Sequence, residues 1–199
     1  IEPPAHTVTS TSGNIVRFGT KKITNWGDQS KLAVAFNDQV CLSRHRLDSF
    51  DDDCIILHES MWETHEDESI RELYKNAMEE MSHKNYRFIA VPIEEETLKI
   101  VDNPQHGKNM FALGLLTEIY QRDLAIIEKQ IAHIFKHKPA KVTEVNIELV
   151  KHGIAWAREN LNFQFKIESK PTEETRVVMN GNQAAALGAI AAGMEFCAM

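Results

Sequence analysis

KLAVAFND, residues 31–38, decides the fold. Leu32, Ala33, Val34, Ala35 and Phe36 make an apolar run too short for a helix and suited to a buried strand. Asn37 and Asp38 follow, residue types whose side-chain oxygens accept hydrogen bonds from the free N–H groups of a helix start. This is a strand-to-helix step, and it recurs. Residues 54–57 (CIIL) are apolar and lead through a polar loop to residues 69–81, where Ile70, Leu73, Ala77 and Met81 lie at helical spacing. Residues 86–91 (YRFIAV) are a third run, closed by Pro92. Strands alternating with helices predict an α/β fold, a mainly parallel sheet covered by helices on both faces.

Outward from this centre the pattern changes in both directions. Residues 14–18 (NIVRF) and Ile23-Thr24 flank the loop 19–22 (GTKK) and read as a β-hairpin. From Gly107 onward the chain reads as helical. Met110, Leu113, Leu116 and Tyr120 form one stripe. Leu124, Ile127, Ile131, Ile134 and Phe135 form a second, capped by Asp123 and ended by Pro139. Val142, Val145, Leu149 and Trp156 form a third, with Gly153 as a point of close helix approach. Residues 169–175 (SKPTEET) are polar, contain Pro171 and lack periodicity, so a linker is expected there and a domain boundary near residue 170. Beyond it, VVMNGNQAAALGAIAAGMEF (residues 177–196) reads as a strand end, a tight turn at Asn180-Gly181-Asn182 and an Ala-rich helix. Ala184, Gly188 and Ala192 are four apart, which suits close approach of another helix or a cofactor-bearing chain and equally suits any tightly packed core helix. A second domain is expected to begin here without being completed.

Composition narrows the function classes. The chain has 199 residues, 43% apolar and 26% charged, as expected of a folded domain, and a net charge of -7 that argues against nucleic acid or anionic lipid as partner. Cys41, Cys54 and Cys197 are far apart with no C-x-x-C, which fits a reducing cytoplasm. That spacing leaves no local thiolate quartet for a zinc ribbon or an iron–sulfur cluster. The longest apolar run, residues 184–194, is shorter than the roughly 20 residues that span a bilayer. Residues 1–4 (IEPP) do not have the form of a signal peptide.

Individual motifs are weak. His58-Glu59 with His65 fails the H-E-x-x-H pattern because Trp62 holds the second His position, and a strand end leading into a polar loop is expected instead. Gly107-Lys108-Asn109 resembles the tail of a phosphate-binding loop, but Asp102 stands at the first glycine and Asn109 at the magnesium-binding hydroxyl. A plain helix cap and a helix start with Lys108 facing a ligand or a neighbouring subunit both remain open. Asp51-Asp52-Asp53 reads as a solvated turn, and His133 and His137, four apart on the second helix, as surface residues. No metal site, catalytic carboxylate pair or nucleophile–base pair emerges.

Taken in order, several stretches resemble the 2-oxoacid:ferredoxin oxidoreductases. They are residues 3–6 (PPAH) with 16–18 (VRF), 31–37 (KLAVAFN), 107–114 (GKNMFALG), and 180–188 (NGNQAAALG) with Ala192-Gly193; Asn146, Gly153 and Ala157 also match the family pattern. The resemblance is to the subunit in which a gamma domain is fused ahead of the thiamine-diphosphate pyrimidine-binding domain. It implies a Rossmann-like gamma domain over residues 1–168, incomplete at its N-terminus, a linker over 169–176, and the first strand and helix of the thiamine-binding domain over 177–199. The family's Arg-Gly-Gly is replaced here by Pro4-Ala5-His6. A glycine-rich turn usual before residue 1 and a Tyr-Pro-Ile-Thr-Pro segment usual after the last helix lie outside this sequence.

By the same resemblance, Gly181 and Asn182 are expected near the cofactor, Lys108 and Asn109 at a ligand or interface, and no catalytic group among these residues. The complete enzyme would decarboxylate a 2-oxoacid, with 2-oxoglutarate favoured, and with coenzyme A yield an acyl-CoA, carbon dioxide and reduced ferredoxin. Thiamine diphosphate and magnesium would be bound by the complete enzyme and not by these residues alone. A beta subunit and a partner's iron–sulfur cluster would complete a cytoplasmic oligomer. The alternative is a non-catalytic Rossmann-like nucleotide-binding or assembly module.

Overall fold

The computed structural model describes residues 13–20, 23, 25, 27–168, 177 and 179–196. The chain divides into two compact units, Ile1–Glu168 and Ser169–Met199. In the first, β1 (Ser30–Ala35), α1 (Asp38–Arg46), β2 (Phe50–Glu59), a 3-10 turn (Ser60–Thr64), α2 (Glu68–Met81) and β3 (Arg87–Val91) form the strand-helix alternation. The short helix α3 (Ile93–Leu98), a second 3-10 turn (Pro104–His106), α4 (Lys108–Ile119), α5 (Leu124–Ile134) and α6 (Ala140–Asn160) follow. The three strands are parallel in the order β1-β2-β3.

Period-two alternation divides β2 between two cores. Cys54 and Ile56 pack with Cys41 and Leu42 of α1 and with Ala77 and Met81 of α2. Leu57 packs on the other face with Phe111, Leu115 and Ile119 of α4 and Ala157 of α6, and Ile55 lies against the same cluster. Burial on both faces is why the strands read as continuous apolar runs.

Asn37 is the N-cap of α1, its side-chain oxygen accepting from Gln39 N at 2.9 Å and Val40 N at 3.1 Å. Asn37→Ala is expected to cost about 1 kcal/mol of stability, read as a lowered urea midpoint with unchanged slope. Asp123 caps α5 in the same way, accepting from Ala125 N at 2.9 Å.

Several expectations are corrected. Residues 14–18 form no strand, so the hairpin is absent among the described residues. Asp51, Asp52 and Asp53 belong to β2 and not to a turn. The pairing jumps from Ser30↔Phe50 to Leu32↔Ile55, so the aspartates occupy the irregular excess of the longer strand. On α2 the inward position falls to Tyr74, leaving Leu73 52% exposed. The stripe assigned to α4 is only half-buried, because this helix is apolar all round and its deepest residues are Phe111, Leu115 and Ile119. On α5, Ile134 is exposed, and His137 lies beyond the helix end.

Val177 and Met179 carry no strand, and Asn180-Gly181-Asn182 is not a turn between elements but the start of helix α7 (Gly181–Ala191). A reciprocal pair of hydrogen bonds caps it: Gln183 N to Asn180 Oδ1 at 2.9 Å and Asn180 N to Gln183 Oε1 at 3.0 Å. Residues 3–6, Cys197 and the linker segment 169–175 lie outside the described residues. No helix among the described residues is long and apolar enough to cross a membrane.

Candidate functional site

Parallel strands align their carboxyl ends, and in an open α/β sheet that edge is where ligands bind. Here it gathers Asn37 and Asp38 after β1, His58 and Glu59 ending β2, Pro92 after β3, and Gly107 and Lys108 opening α4.

His58 and Glu59 point to opposite faces, which is the physical reason they make no metal site with His65. Glu59, 1% exposed, continues the Ile55–Leu57 face. Its Oε1 accepts from Met61 N at 3.1 Å and its Oε2 from Glu94 N at 2.9 Å, joining the end of β2 to the first turn of α3. Burial pushes the Glu59 carboxyl above its ordinary range, opposed by those two N–H groups and by Lys108. Lys108 Nζ lies 2.6 Å from Glu94 Oε2 with its side chain only 13% exposed, so the structure ties this lysine into the fold. On the other face, burial lowers His58, whose Nδ1 is 3.4 Å from the Tyr74 hydroxyl. Trp62 Nε1 donates to Phe36 O at 3.0 Å, and its ring stacks on His65.

A second polar group links α3 to α6. Glu96 meets Lys99 Nζ at 2.6 Å and His152 Nε2 at 2.7 Å. Burial raises this carboxyl, but the hydrogen bonds from Lys99 and His152 outweigh it and hold the carboxyl below its ordinary value.

Gly107 is tightly packed, since a Cβ there would come within 2.7 Å of Leu149 Cδ1 and 2.9 Å of Thr97 Cγ2, and those buried side chains would have to shift. Of the Gly107-Lys108-Asn109 motif, then, the glycine is explained by packing and the lysine by an internal ion pair, and Asn109 alone is exposed. Gly181 and Asn182 are exposed in the first turn of α7, and a Cβ on Gly181 would meet nothing within 4 Å.

The buried polar groups at this edge are satisfied by backbone N–H groups and by one another, an arrangement that rigidifies the edge and presents no nucleophile with a base. Among the described residues no three His, Cys, Asp or Glu converge on a metal position. An open depression of about 400 Å³, lined by Glu63, Arg71, Tyr74, Lys75 and Met78, lies on the α2 side. The Cys41 thiol is pushed up to about 12 by burial, then by Cys54 and Asp38, and that of Cys54 to about 12 by burial, then by Asp51 and Asp53, which leaves both unreactive. Glu94, Glu96 and His152 escaped the sequence reading, and Glu59 entered it only as part of a failed H-E-x-x-H pattern. The signal for its inward role was that of a carboxylate in register with Ile55 and Leu57.

The fold is similar to part of a solved 2-oxoacid oxidoreductase. The chain matches the solved 2-oxoglutarate:ferredoxin oxidoreductase from Magnetococcus marinus, a structure with 2-oxoglutarate, coenzyme A and succinyl-CoA bound. The TM-score is 0.66 at 22% identity, covering 88% of this chain and 28% of that one. In sequence it is 37% identical over 93 residues, 45% of its length, to the 2-oxoglutarate oxidoreductase subunit KorA of Mycobacterium tuberculosis. The chain spans 14% of that relative's length. No protein-family model matches it. The chain is thus similar, in sequence and in fold, to 2-oxoacid:ferredoxin oxidoreductase subunits.

Proposed function

We propose that the chain is part of the fused gamma-alpha subunit of a 2-oxoacid:ferredoxin oxidoreductase. In this reading Ile1–Glu168 belongs to the gamma domain, and residues 177–199 open the thiamine-diphosphate pyrimidine-binding domain. One observation carries the proposal: the sequence match and the fold match lead to the same enzyme class. The reaction is the oxidative decarboxylation of a 2-oxoacid, 2-oxoglutarate favoured, with coenzyme A, giving acyl-CoA, carbon dioxide and reduced ferredoxin in the cytoplasm. The beta subunit, with an iron–sulfur cluster held by a partner, would complete the assembly.

Thiamine diphosphate, with its magnesium, supplies the stabilised carbanion that decarboxylation requires. In this reading Gly181 and Asn182, exposed in the first turn of α7, would lie near the cofactor in the complete enzyme. What this chain contributes is positioning. The Glu59–Glu94–Lys108 network holds the start of α4 rigid and presents Asn109 outward, at a ligand or a subunit interface.

The test is to purify the complete gene product with its beta subunit and follow ferredoxin reduction. Reduction dependent on both 2-oxoglutarate and coenzyme A is expected. An intact complex that fails to reduce ferredoxin with every 2-oxoacid tried would favour the non-catalytic module.

A further inference from the structure

We propose that the corner where α5 turns into α6 is a docking surface for an acidic, partly apolar face of another polypeptide. Ile126, Lys129, Gln130 and His133 recur at spacings of three and four along α5 and so form one stripe, facing away from Leu124, Ile127 and Ile131, and Ile134 adjoins it where the helix ends. All five are exposed, the isoleucines at 60% and 67%. The surface continues through exposed Lys136, His137 and Lys138 to Lys141 in the first turn of α6.

Charge and apolar area coincide here. Residues 129–143 contain no Asp or Glu, in a chain whose net charge is -7. Among the described residues none of Lys129, Lys136, Lys138 and Lys141 makes an ion pair, and the adjoining Glu128 is taken by Lys151 at 2.8 Å. Clustered lysines repel one another in the free protein, and a negative partner relieves that repulsion while covering the two isoleucines.

The occupant is a polypeptide because the acidic remainder of the chain repels nucleic acid and anionic membrane, and a phosphate backbone gives the isoleucines nothing to pack against. It is not a second copy of this sequence, which would have to offer another patch, such as Asp51, Asp52 and Asp53. Such a contact is heterologous and, unless it closes into a ring, runs on into open assemblies.

Fluorescence anisotropy of a labelled glutamate-rich peptide carrying two leucines tests this on the full chain. The peptide is expected to bind, more weakly as salt rises. Combining Lys129→Glu, Lys136→Glu, Lys138→Glu and Lys141→Glu should weaken it about tenfold with circular dichroism unchanged. Ile126→Ser with Ile134→Ser should weaken it while leaving the salt dependence intact. If the fourfold variant does not fold, Lys136→Glu with Lys138→Glu, outside both helices, takes its place. No binding, equal binding by the lysine variants, tighter binding of duplex DNA or phosphatidylserine vesicles, or lysine-dependent self-association in light scattering would each overturn the proposal.

Discussion

Gly153→Ala is expected to lower the stability of the first unit by about 3 kcal/mol, the upper part of the range for overpacking. A Cβ at Gly153 runs into the carbonyl oxygen of Phe111 and lies 3.1 Å from Gly114 Cα. A Cβ at Gly114 would in turn lie 2.8 Å from Gly153 Cα and collide with the Val150 carbonyl. The obstacles are backbone atoms, which cannot rotate away, so α4 and α6 must part. Parting them loosens Phe111, Leu115, Leu149, Val150 and Ala157, all fully or almost fully buried. Gly188→Ala is the control: it meets nothing within 4 Å and lies within α7, where alanine is favoured by roughly 0.5–1 kcal/mol. Urea unfolding followed by circular dichroism separates the two, and a wild-type midpoint for Gly153→Ala would show that the helices are not in this contact.

Glu59→Ala should be nearly as damaging. It leaves the N–H groups of Met61 and Glu94 without their acceptor, at about 1–3 kcal/mol each, and removes a negative charge near Lys108. Glu59→Gln should fall between the two, because an amide keeps one acceptor and turns a donor toward the other N–H. The pH dependence identifies the group. Glu59 is raised above its ordinary 4.5, so the folded state holds this proton more tightly than the unfolded chain, and its contribution to stability falls as pH rises from 4.5 through the raised value. Glu96 has the opposite sign: its carboxyl is lowered, and its contribution, present above 4.5, is lost as pH falls through the lowered value. Glu59→Gln should therefore flatten the decline above pH 4.5 and leave the acid limb in place. A stability curve of unchanged shape would contradict the burial of Glu59.

The strand-helix alternation was legible because burial on both sheet faces leaves continuous apolar runs at residues 31–36, 54–57 and 86–91, and because Asn37 and Asp123 carry the side-chain chemistry that starts a helix. Gly153 stood out for the same local reason, as a residue without a side chain inside an apolar helical pattern. The resemblance to an oxidoreductase subunit was also readable, since it rests on short motifs in order. Which face of a helix lies inward was not. Leu73 and Tyr74 both fit an amphipathic pattern, and only the position of β2 beneath α2 chose Tyr74. The Gly107-Lys108-Asn109 motif could open toward a ligand until α3 and α6 came together around it. That closeness binds Lys108 to Glu94 and packs Leu149 and Thr97 tightly against Gly107. Local sequence determines which elements form, through propensity, capping and periodicity between neighbours in the chain. The long-range partners of Glu59, Lys108, Glu96 and Gly153 are 35, 14, 56 and 39 residues away, so tertiary packing decided how those residues tie one element to another.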